Sequence, residues 1–230
     1  MSGIVREVTI GDCRLILGDC REVLPCVGRF DLILTDPNYG IGYAANPIVG
    51  KGKKQSNHQA KTWDNETPPA WLFGLMLDLS DEMIVWGGNY FPLPQSRGWL
   101  SWFKPDSATS MGHFELAWTS FDMVSRQFER SIAATNGERV GHPTQKPLAL
   151  MEWCLGFAPD ARTICDPFLG SGTTGVACAR MGKRFTGIER EPQYFDIACE
   201  RIENAYRQAP MFPAAKQLAP HQNSLLEVTE

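Results

Sequence analysis

One segment late in the chain restricts the fold more than any other. Residues 163–166 read TICD, an apolar strand candidate, and the glycine-rich turn DPFLGSGTTG leads from its last residue into a helix candidate at 173–181. A second strand candidate, RFTGIE, follows at 184–189. A strand, turn and helix that lead to another strand are typical of a β-α-β unit, which needs a parallel sheet covered by helices. The segment therefore predicts an α/β fold.

The rest of the chain predicts the same architecture. FDLILT at 30–35 is a nearly continuous apolar run, which is typical of a central parallel strand buried on both faces. Other strand candidates are two runs around the Gly11-Asp12 turn, then 83–88, 99–103, 115–120 and 124–128. Other helix candidates are 21–24, 68–82, 147–157 and 192–208. We expect one domain over residues 1–208 and a loosely ordered tail, which carries three prolines, over 209–230.

Composition excludes several classes of protein. The seven cysteines form no C-x-x-C pair and are odd in number, which indicates neither a disulfide framework nor a zinc site, so no metal is expected. The N-terminal residues MSGIVREVTIGD contain no apolar core of signal-peptide length, and no stretch of the sequence approaches the roughly 18 uninterrupted apolar residues of a membrane span. We therefore expect a cytoplasmic protein with reduced thiols.

The charge distribution is uneven. A net charge of −4 argues against a nucleic-acid partner, because phosphate binding usually draws on a basic surface. Residues 41–62, however, contain no acid and four lysines: Lys51, Lys53, Lys54 and Lys61. These four are candidate DNA-binding residues. A solvated lysine-rich loop is the alternative interpretation.

The glycine turn is a candidate nucleotide site. Its glycines allow close approach of a ligand to the backbone, and the following helix presents free N–H donors. Glu189 stands 23 residues after Asp166, where an acid would reach ribose hydroxyls. Gly170, Gly172 and Gly175 also match G-x-G-x-x-G, but a nicotinamide-binding fold normally begins with this turn, and here it comes late. No lysine follows the glycines, which argues against a phosphate-binding P-loop.

A second loop, Asp36-Pro37-Asn38-Tyr39, follows the 30–35 strand. An aromatic amine is a poor nucleophile because its lone pair is delocalised into the ring. Two acceptors, the Asp36 carboxylate and the Pro37 carbonyl, could hold its two N–H groups and direct the lone pair at a methyl donor. Tyr39 offers a flat face on which an extruded base could stack. D-P-x-Y is also a common turn sequence, so the motif alone does not decide its function.

Three segments in this order resemble the amino-methylating DNA methyltransferases, which act on adenine N6 or cytosine N4. DPNYG at 36–40 is similar to their D-P-P-Y motif, HPTQKP at 142–147 to the segment before the cofactor motif, and DPFLGSGTT at 166–174 to the cofactor motif itself. Their order matches the β arrangement, and the resemblance covers about residues 12–205. It implies a Rossmann-like, seven-stranded class I methyltransferase sheet entered in permuted order, in which the two loops meet at adjacent strand ends.

The resemblance also implies roles for individual residues. Catalytic residues would be Asp36, Pro37, Asn38 and Tyr39. Residues that bind S-adenosylmethionine would be Asp19, Cys20, Lys146, Asp166, Phe168, Gly170, Ser171, Gly172, Thr173 and Glu189. Within that set, Lys146 would lie near the cofactor carboxylate, Glu189 on the ribose and Asp19 on the adenine amine. Gly87-Gly88-Asn89 is similar to a turn beside the target base, and His142 would brace its loop.

The expected partner is double-stranded DNA, with base reading by segments 41–66 and 104–141, and relatives of this kind can be homodimers. The motif opens with Asp rather than the Ser typical of cytosine-N4 enzymes, which favours adenine N6 and leaves cytosine N4 as the second candidate. Asn38 replaces the usual second proline, which leaves base preference less well determined. A catalytically silent DNA-binding relative is a further alternative, but the intact Asp36, Tyr39 and glycine turn argue against it. Methylation of RNA or of a protein glutamine is another, but those families usually place the glycine turn first, and here it comes last.

Overall fold

The structure is a computed structural model that describes residues 3–40, 67–107, 112–136 and 145–208. In these ranges the strands are β1 (Ile4–Ile10), β2 (Cys13–Gly18), β3 (Phe30–Thr35), β4 (Ser80–Trp86), β5 (Trp99–Phe103), β6 (Phe114–Thr119), β7 (Arg126–Glu129), β8 (Thr163–Asp166) and β9 (Arg184–Glu189). The helices are α1 (Cys20–Val23), α2 (Ala70–Asp78), α3 (Ile132–Asn136), α4 (Leu148–Leu155), α5 (Thr173–Arg180) and α6 (Pro192–Gln208). Short 3-10 helices occupy Leu24–Cys26 and Gly88–Tyr90.

All nine described strands form one sheet, in the order β1-β2-β9-β8-β3-β4-β6-β5-β7. Strands β2, β9, β8, β3 and β4 are parallel, and β6 is antiparallel to both of its neighbours. The seven strands from β2 to β5 form the expected class I sheet. The remaining two extend its edges, β1 through the Gly11-Asp12 hairpin and β7 by parallel pairing with β5.

Strand β3 shows how the sheet separates two hydrophobic layers. Leu32 and Leu34 point into one core and Ile33 into the other, and all three side chains are fully buried. The first core is covered by α4, α5 and α6, and the second by α1 and α2. Successive side chains of a strand point to opposite faces, so burial on both faces explains why FDLILT is apolar at nearly every position. The predicted central strand is confirmed.

The structure differs from expectation at the end of the helix candidate 68–82, because α2 ends at Asp78 and residues 80–82 belong to β4. Range 104–141, the second of the two segments expected to read bases, contains β6, β7 and α3. These two strands complete the sheet, as the strand candidates 115–120 and 124–128 predict, and base reading by this range stays a prediction. Segment 41–66 and the tail at 209–230 lie outside the described residues. None of the described helices is long and apolar enough to cross a membrane.

Candidate active site

The two predicted loops lie side by side at one edge of the sheet. Strands β3 and β8 are parallel neighbours, and the carboxyl ends of parallel strands share an edge. Asp36 follows β3 directly and Asp166 is the last residue of β8. The Thr35 hydroxyl joins the strands by donating a hydrogen bond to Asp166 Oδ1 at 2.8 Å. A group held by the glycine turn would therefore lie next to the Asp36 loop.

The Asp36 carboxylate is held by two donors, one on each oxygen. The Tyr39 hydroxyl donates to Oδ1 at 2.6 Å, and Lys146 Nζ donates to Oδ2 at 2.6 Å. Lys146 Nζ also lies 3.1 Å from the Tyr39 hydroxyl oxygen, to which it donates. Burial raises the pKa of Asp36, and the Lys146 ammonium opposes this rise. The carboxylate is thereby fixed in orientation at the end of β3.

Lys146 is itself shared between two carboxylates. Its ammonium lies 3.1 Å from Glu115 Oε2 on β6, and Glu115 also accepts a hydrogen bond from Lys104. Burial works to raise the pKa of Glu115, but the two lysines lower it to about 2. Burial works to lower the pKa of Lys146, but Asp36 and Glu115 hold it well above its ordinary value. Lys146 is therefore charged at neutral pH.

This position bears on the predicted role of Lys146. The resemblance assigns it to the cofactor carboxylate, whereas in the structure its ammonium contacts Asp36, Tyr39 and Glu115. The structure thus connects Lys146 to the Asp36–Tyr39 loop. Its contact with a cofactor stays a prediction.

Tyr39 lies in an aromatic cluster next to Asp36. Its ring stacks on Tyr90, with ring centroids 5.0 Å apart and planes 15° apart, and meets the edge of Phe91 at 6.2 Å. Gly87 lies against the same ring, since a Cβ placed there would come within 2.1 Å of Tyr39 Cε1. The predicted glycine turn is therefore in contact with the proposed stacking residue. Tyr90, which no sequence motif singles out, covers one face of that ring.

The glycine turn forms a tight bend at the start of α5. Gly170 and Gly172 have φ of 53° and 82°, in the left-handed region that side chains disfavour. A Cβ on Gly172 would also lie 2.8 Å from the Ala198 Cβ of α6. Glycine at 172 therefore satisfies both the turn and the close helix approach.

The carboxylates of Asp166 and Glu189 accept hydrogen bonds from the glycine turn and from the start of α5. Asp166 Oδ2 accepts from the Thr174 hydroxyl at 2.7 Å, and Oδ1 accepts from the Phe168 N–H at 3.0 Å as well as from Thr35. Burial raises the pKa of Asp166 to about 6, against these hydrogen bonds. Glu189 accepts the Gly170 N–H at 2.8 Å, and burial raises its pKa too. Both acids thus lie at one sheet edge with the glycines.

The remaining predicted cofactor residues lie around the same edge. Strand β2 pairs in parallel with β9, and its Leu17 lies opposite Glu189. Asp19 is the first residue after β2. Asp19 caps α1 by accepting the Arg21 N–H at 2.9 Å, and its carboxylate also pairs with the Arg21 guanidinium. Cys20 is buried beside it, and burial raises the pKa of its thiol to about 12. The cofactor roles of these two residues stay predictions.

Arg201 on α6 is a site residue that sequence reasoning missed. Its guanidinium donates to the Ser171 carbonyl at 2.6 Å, to the Ser171 hydroxyl at 3.0 Å and to the Thr173 hydroxyl at 3.2 Å. It therefore ties the glycine turn to the last helix. No local pattern marks it, because an arginine on an amphipathic helix is ordinary.

Comparison with known proteins assigns the family. A family model described as DNA methylase, of the N6/N4 type, matches residues 85–200. The chain belongs to this DNA methylase family. The matched residues include the glycine turn, Glu189, Glu115 and Lys146, whereas the Asp36 loop precedes them.

Two curated relatives match a shorter part of this DNA methylase. The Type II methyltransferase M2.DpnII of Streptococcus pneumoniae is 51% identical over 63 residues, which are 27% of this chain and 24% of that protein. The Type II methyltransferase M2.LlaDCHI of Lactococcus lactis subsp. cremoris is 47% identical over 62 residues, which are 26% and 23%. These alignments thus span about a quarter of the length of either relative.

Solved structures share the fold. The M1.HpyAVI-SAM complex matches with a TM-score of 0.54 and 20% identity, and the alignment covers 83% of this chain and 98% of the other. The PvuII DNA methyltransferase, described as cytosine-N4-specific, matches with a TM-score of 0.53 and 14% identity over 90% and 96% of the two chains. At such identities the likeness supports the fold of the DNA methylase and not its target base.

The structure of this DNA methylase describes some of the remaining predicted residues and not others. Among those described, Pro37 is buried, and Asn38 and Phe168 are half-buried at the site. Lys51, Lys53, Lys54, Lys61 and His142 lie outside the described residues, so the DNA-binding role of the lysines stays a prediction.

Proposed function

We propose that this chain transfers a methyl group from S-adenosylmethionine to an exocyclic amino nitrogen of a base in double-stranded DNA, with adenine N6 as the target. The observation that carries the proposal is the position of Asp36 and Tyr39 beside the glycine turn, with Glu189 at the same edge. A base acceptor site and a nucleoside site are thereby adjacent. Membership of the DNA methylase family and the names of its Type II relatives support the same reaction.

The residues present fit S-adenosylmethionine. Glu189 is 8% exposed, and each of its oxygens accepts a backbone N–H, from Gly170 and from Glu191, both at 2.8 Å. A carboxylate oxygen has two acceptor sites, so Glu189 can still accept two ribose hydroxyls. The Gly170–Thr173 turn would hold the methionine part, and Asp19 the adenine amine. When bound, the cofactor supplies an electrophilic methyl group on a sulfonium.

Asp36 and Pro37 would prepare the nucleophile. Asp36 Oδ1 binds the Tyr39 hydroxyl and Oδ2 binds Lys146, and a lone pair remains on each oxygen for an N–H of the target amine. The amine nitrogen would form a bond to the methyl carbon as the methyl–sulfur bond breaks, and the electron pair of the broken bond would go to sulfur. The methylated nitrogen loses one proton, which Asp36 or water can accept. The chain thus contributes positioning and negative charge.

An extruded base would use the Tyr39 ring. Chemistry at an amine inside a duplex requires the nucleotide to leave the stack, and aromatic side chains then support it. Tyr90 covers one face of Tyr39 in the structure, so we expect the base to displace Tyr90 or to use the rest of the cluster. Adenine is favoured because the motif opens with Asp36, and cytosine N4 is the alternative outcome.

The reaction and the target base are tested together by nucleoside mass spectrometry of DNA incubated with the protein and S-adenosylmethionine. We expect N6-methyladenine as the main product. A dominant N4-methylcytosine signal would reverse the base and keep the reaction. Methyl transfer to RNA or protein alone would overturn the DNA substrate.

The role of Asp36 is tested with Asp36→Ala. We expect methyl transfer to fall by at least about a hundredfold, since positioning and electrostatic contacts of this kind contribute several kcal/mol, while S-adenosylmethionine binding stays near wild type. Asp81→Ala is the matched control, because Asp81 is 66% exposed at the opposite end of the strands. Calorimetric titration and a radiolabel transfer assay measure the two quantities. Retained activity in Asp36→Ala would remove Asp36 from the reaction.

A further inference from the structure

Behind Asp36 lies a cluster of charged side chains that no sequence motif predicts as a unit. We call Lys104, Glu115, Lys146 and Asp36 the charge cluster. Lys104 follows β5, Glu115 is on β6, Lys146 precedes α4 and Asp36 follows β3, so four separate parts of the chain meet there. The lysine side chains are 10% and 7% exposed, and the carboxylate side chains about a quarter exposed.

The cluster alternates in charge and is neutral overall. Lys104 pairs with Glu115, Glu115 lies 3.1 Å from the Lys146 ammonium, and that ammonium lies 2.6 Å from Asp36. Two cations and two anions therefore form a continuous chain that ends at the reactive carboxylate. The Lys104 ammonium also lies 4.7 Å from the centre of the Trp102 ring, which fixes the far end of the chain.

The inner ion pair alone would oppose the proposed reaction. During methyl transfer, positive charge moves from the sulfonium onto the target nitrogen, so a carboxylate beside that nitrogen stabilises the transition state. A buried ammonium that belongs to Asp36 alone would cancel much of this effect, because charges a few ångströms apart interact strongly where water is excluded. A second carboxylate on the same ammonium reduces the cancellation.

Building on the proposed methyl transfer, we propose that Glu115 is a positioning residue for Asp36: it shares the Lys146 ammonium, so that Asp36 stays a strong acceptor for the target amine. Lys104 holds Glu115 in that position. Glu115 exchanges no proton or methyl group with the substrate, so it takes no part in the bond changes of the methyl transfer. Its effect reaches the reaction only through Lys146 and Asp36.

The decisive variant is Glu115→Gln, which keeps the shape of the side chain and removes its charge. We expect kcat to fall by about tenfold or more, in the range of couplings between contacting charged groups, with the KM for S-adenosylmethionine unchanged. Adding Lys104→Gln should leave kcat low, because Lys104 pairs with Glu115 and the Lys146 ammonium still belongs to Asp36 alone. A Glu115→Gln variant as fast as wild type, or a double variant restored to the wild-type rate, would overturn the proposal.

A pH readout separates this role from simple loosening of the site. Four titratable groups face Asp36. They are Lys146 in the segment before α4, Glu115 on β6, Tyr39 in the same loop as Asp36, and Asp166 at the end of β8. Glu115 raises the pKa of Asp36 by charge repulsion, so Glu115→Gln should move the acid limb of kcat to lower pH. A variant that merely freed Lys146 from Asp36 would move that limb to higher pH, and this result would contradict the role.

Carbon-detected NMR titration of the Asp36 carboxyl tests the same point without catalysis. We expect its pKa to be lower in Glu115→Gln than in wild type and little changed in Glu115→Asp, which keeps the charge. An equal pKa in Glu115→Gln and wild type would overturn the proposal even if the enzyme is active. Inactive wild-type protein with the expected NMR shift would instead overturn the methyl transfer and leave the charge sharing in place.

The matched control is the Arg97–Asp122 pair, which lies at 3.2 Å with side chains 67% and 85% exposed. Asp122→Asn removes one charge from the same part of the sheet, and solvent screens such pairs strongly. We expect no change in kcat or in its pH limb. Thermal unfolding of each variant confirms that the rates compare folded proteins.

Discussion

Gly87 and Tyr39 show how single residues set the geometry of this site. Gly87 follows β4 with φ of 70°, and its N–H donates to the Leu116 carbonyl at 2.7 Å, which holds the turn against β6. The absence of a Cβ leaves room for the Tyr39 ring, which the Asp36 carboxylate then anchors through the tyrosine hydroxyl. Backbone conformation at one residue thus decides where the proposed stacking face lies.

Gly87→Ala should therefore displace Tyr39. The added methyl would lie 2.1 Å from the ring, and the left-handed backbone would cost about 1 to 2 kcal/mol in addition. We expect kcat to fall by about a hundredfold, as a misplacement of roughly 1 Å can cause, with cofactor binding retained. Gly74→Ala on α2 is the control, since its Cβ would meet nothing within 4 Å. Wild-type kcat in Gly87→Ala would show that Tyr39 is not needed where it lies.

Asp166 predicts a pH dependence of stability. Its pKa is raised from 3.8 to about 6, so between these values the folded protein holds a proton that the unfolded chain has released. The stabilisation is complete below pH 4 and is lost as pH rises through 6, by about 2 to 3 kcal/mol in all. Urea unfolding of wild type and Asp166→Asn across pH 4 to 7 measures it.

We expect the free energy of unfolding of wild type, relative to Asp166→Asn, to fall across that interval. Asp160→Asn, at an exposed position before the same strand, should track wild type. A constant difference between wild type and Asp166→Asn would mean that the three donors around Asp166 keep it ionised.

At the scale of elements, the parallel strands and their connections determine which groups meet. Strands β3, β8 and β9 end at one edge, and each is followed there by a candidate site segment. The lysine-rich segment 41–62 begins directly after the Asp36–Gly40 loop. Chain connectivity therefore leads from the edge that carries the candidate site into the most basic stretch of an acidic protein.

Neutralising Lys51, Lys53 and Lys54 together should weaken DNA binding for all sequences, because phosphate contacts carry no base information. We expect the log-log slope of affinity against salt to flatten by up to about three units. Arg29→Gln with Arg162→Gln is the control, as both residues precede strands at the opposite edge and are exposed. Fluorescence anisotropy at several salt concentrations measures the slope. An unchanged slope would identify the segment as a solvated loop.

At the scale of the whole molecule, ligand binding should stabilise the fold through the edge where β2, β9 and β8 end. A ligand that binds only the folded state adds about 2.7 kcal/mol at a hundred times its Kd. For a chain of this size that corresponds to a rise in Tm of about 5 to 10 °C. Helices α5 and α6 both contact the glycine turn, so the effect extends beyond the loop itself.

We expect S-adenosylmethionine to raise the Tm of wild type and of Asp36→Ala by similar amounts, and that of Glu189→Gln far less. Glu191→Gln is the control, because its side chain is 42% exposed and pairs with Arg190. Differential scanning fluorimetry gives the comparison. An equal rise in Glu189→Gln would exclude Glu189 from the cofactor site.

The sequence by itself determined most strands, the helices around the glycine turn and the strand ends at which the two loops lie, but it did not predict α3 or the end of α2. Apolar runs of strand length and the regular spacing of α5 and α6 are local patterns, and a strand–turn–helix order forces a parallel sheet whose loops share an edge. The adjacency of Asp36 and the glycine turn follows from this and from the family resemblance. Glu115 is the only charged residue in the strand FELAWT, and this local signal could have marked it as a candidate site residue.

Only the tertiary structure decided which side chains touch. Glu115 reaches Lys146, Arg201 reaches Ser171 and Tyr90 stacks on Tyr39, and each pair is separated by some 30 to 50 residues along the chain. Such contacts depend on strand register and on helix orientation, and periodicity specifies neither of them. The charge cluster exists because burial makes an unpaired ion costly, so the fold must bring its partners together from distant parts of the sequence.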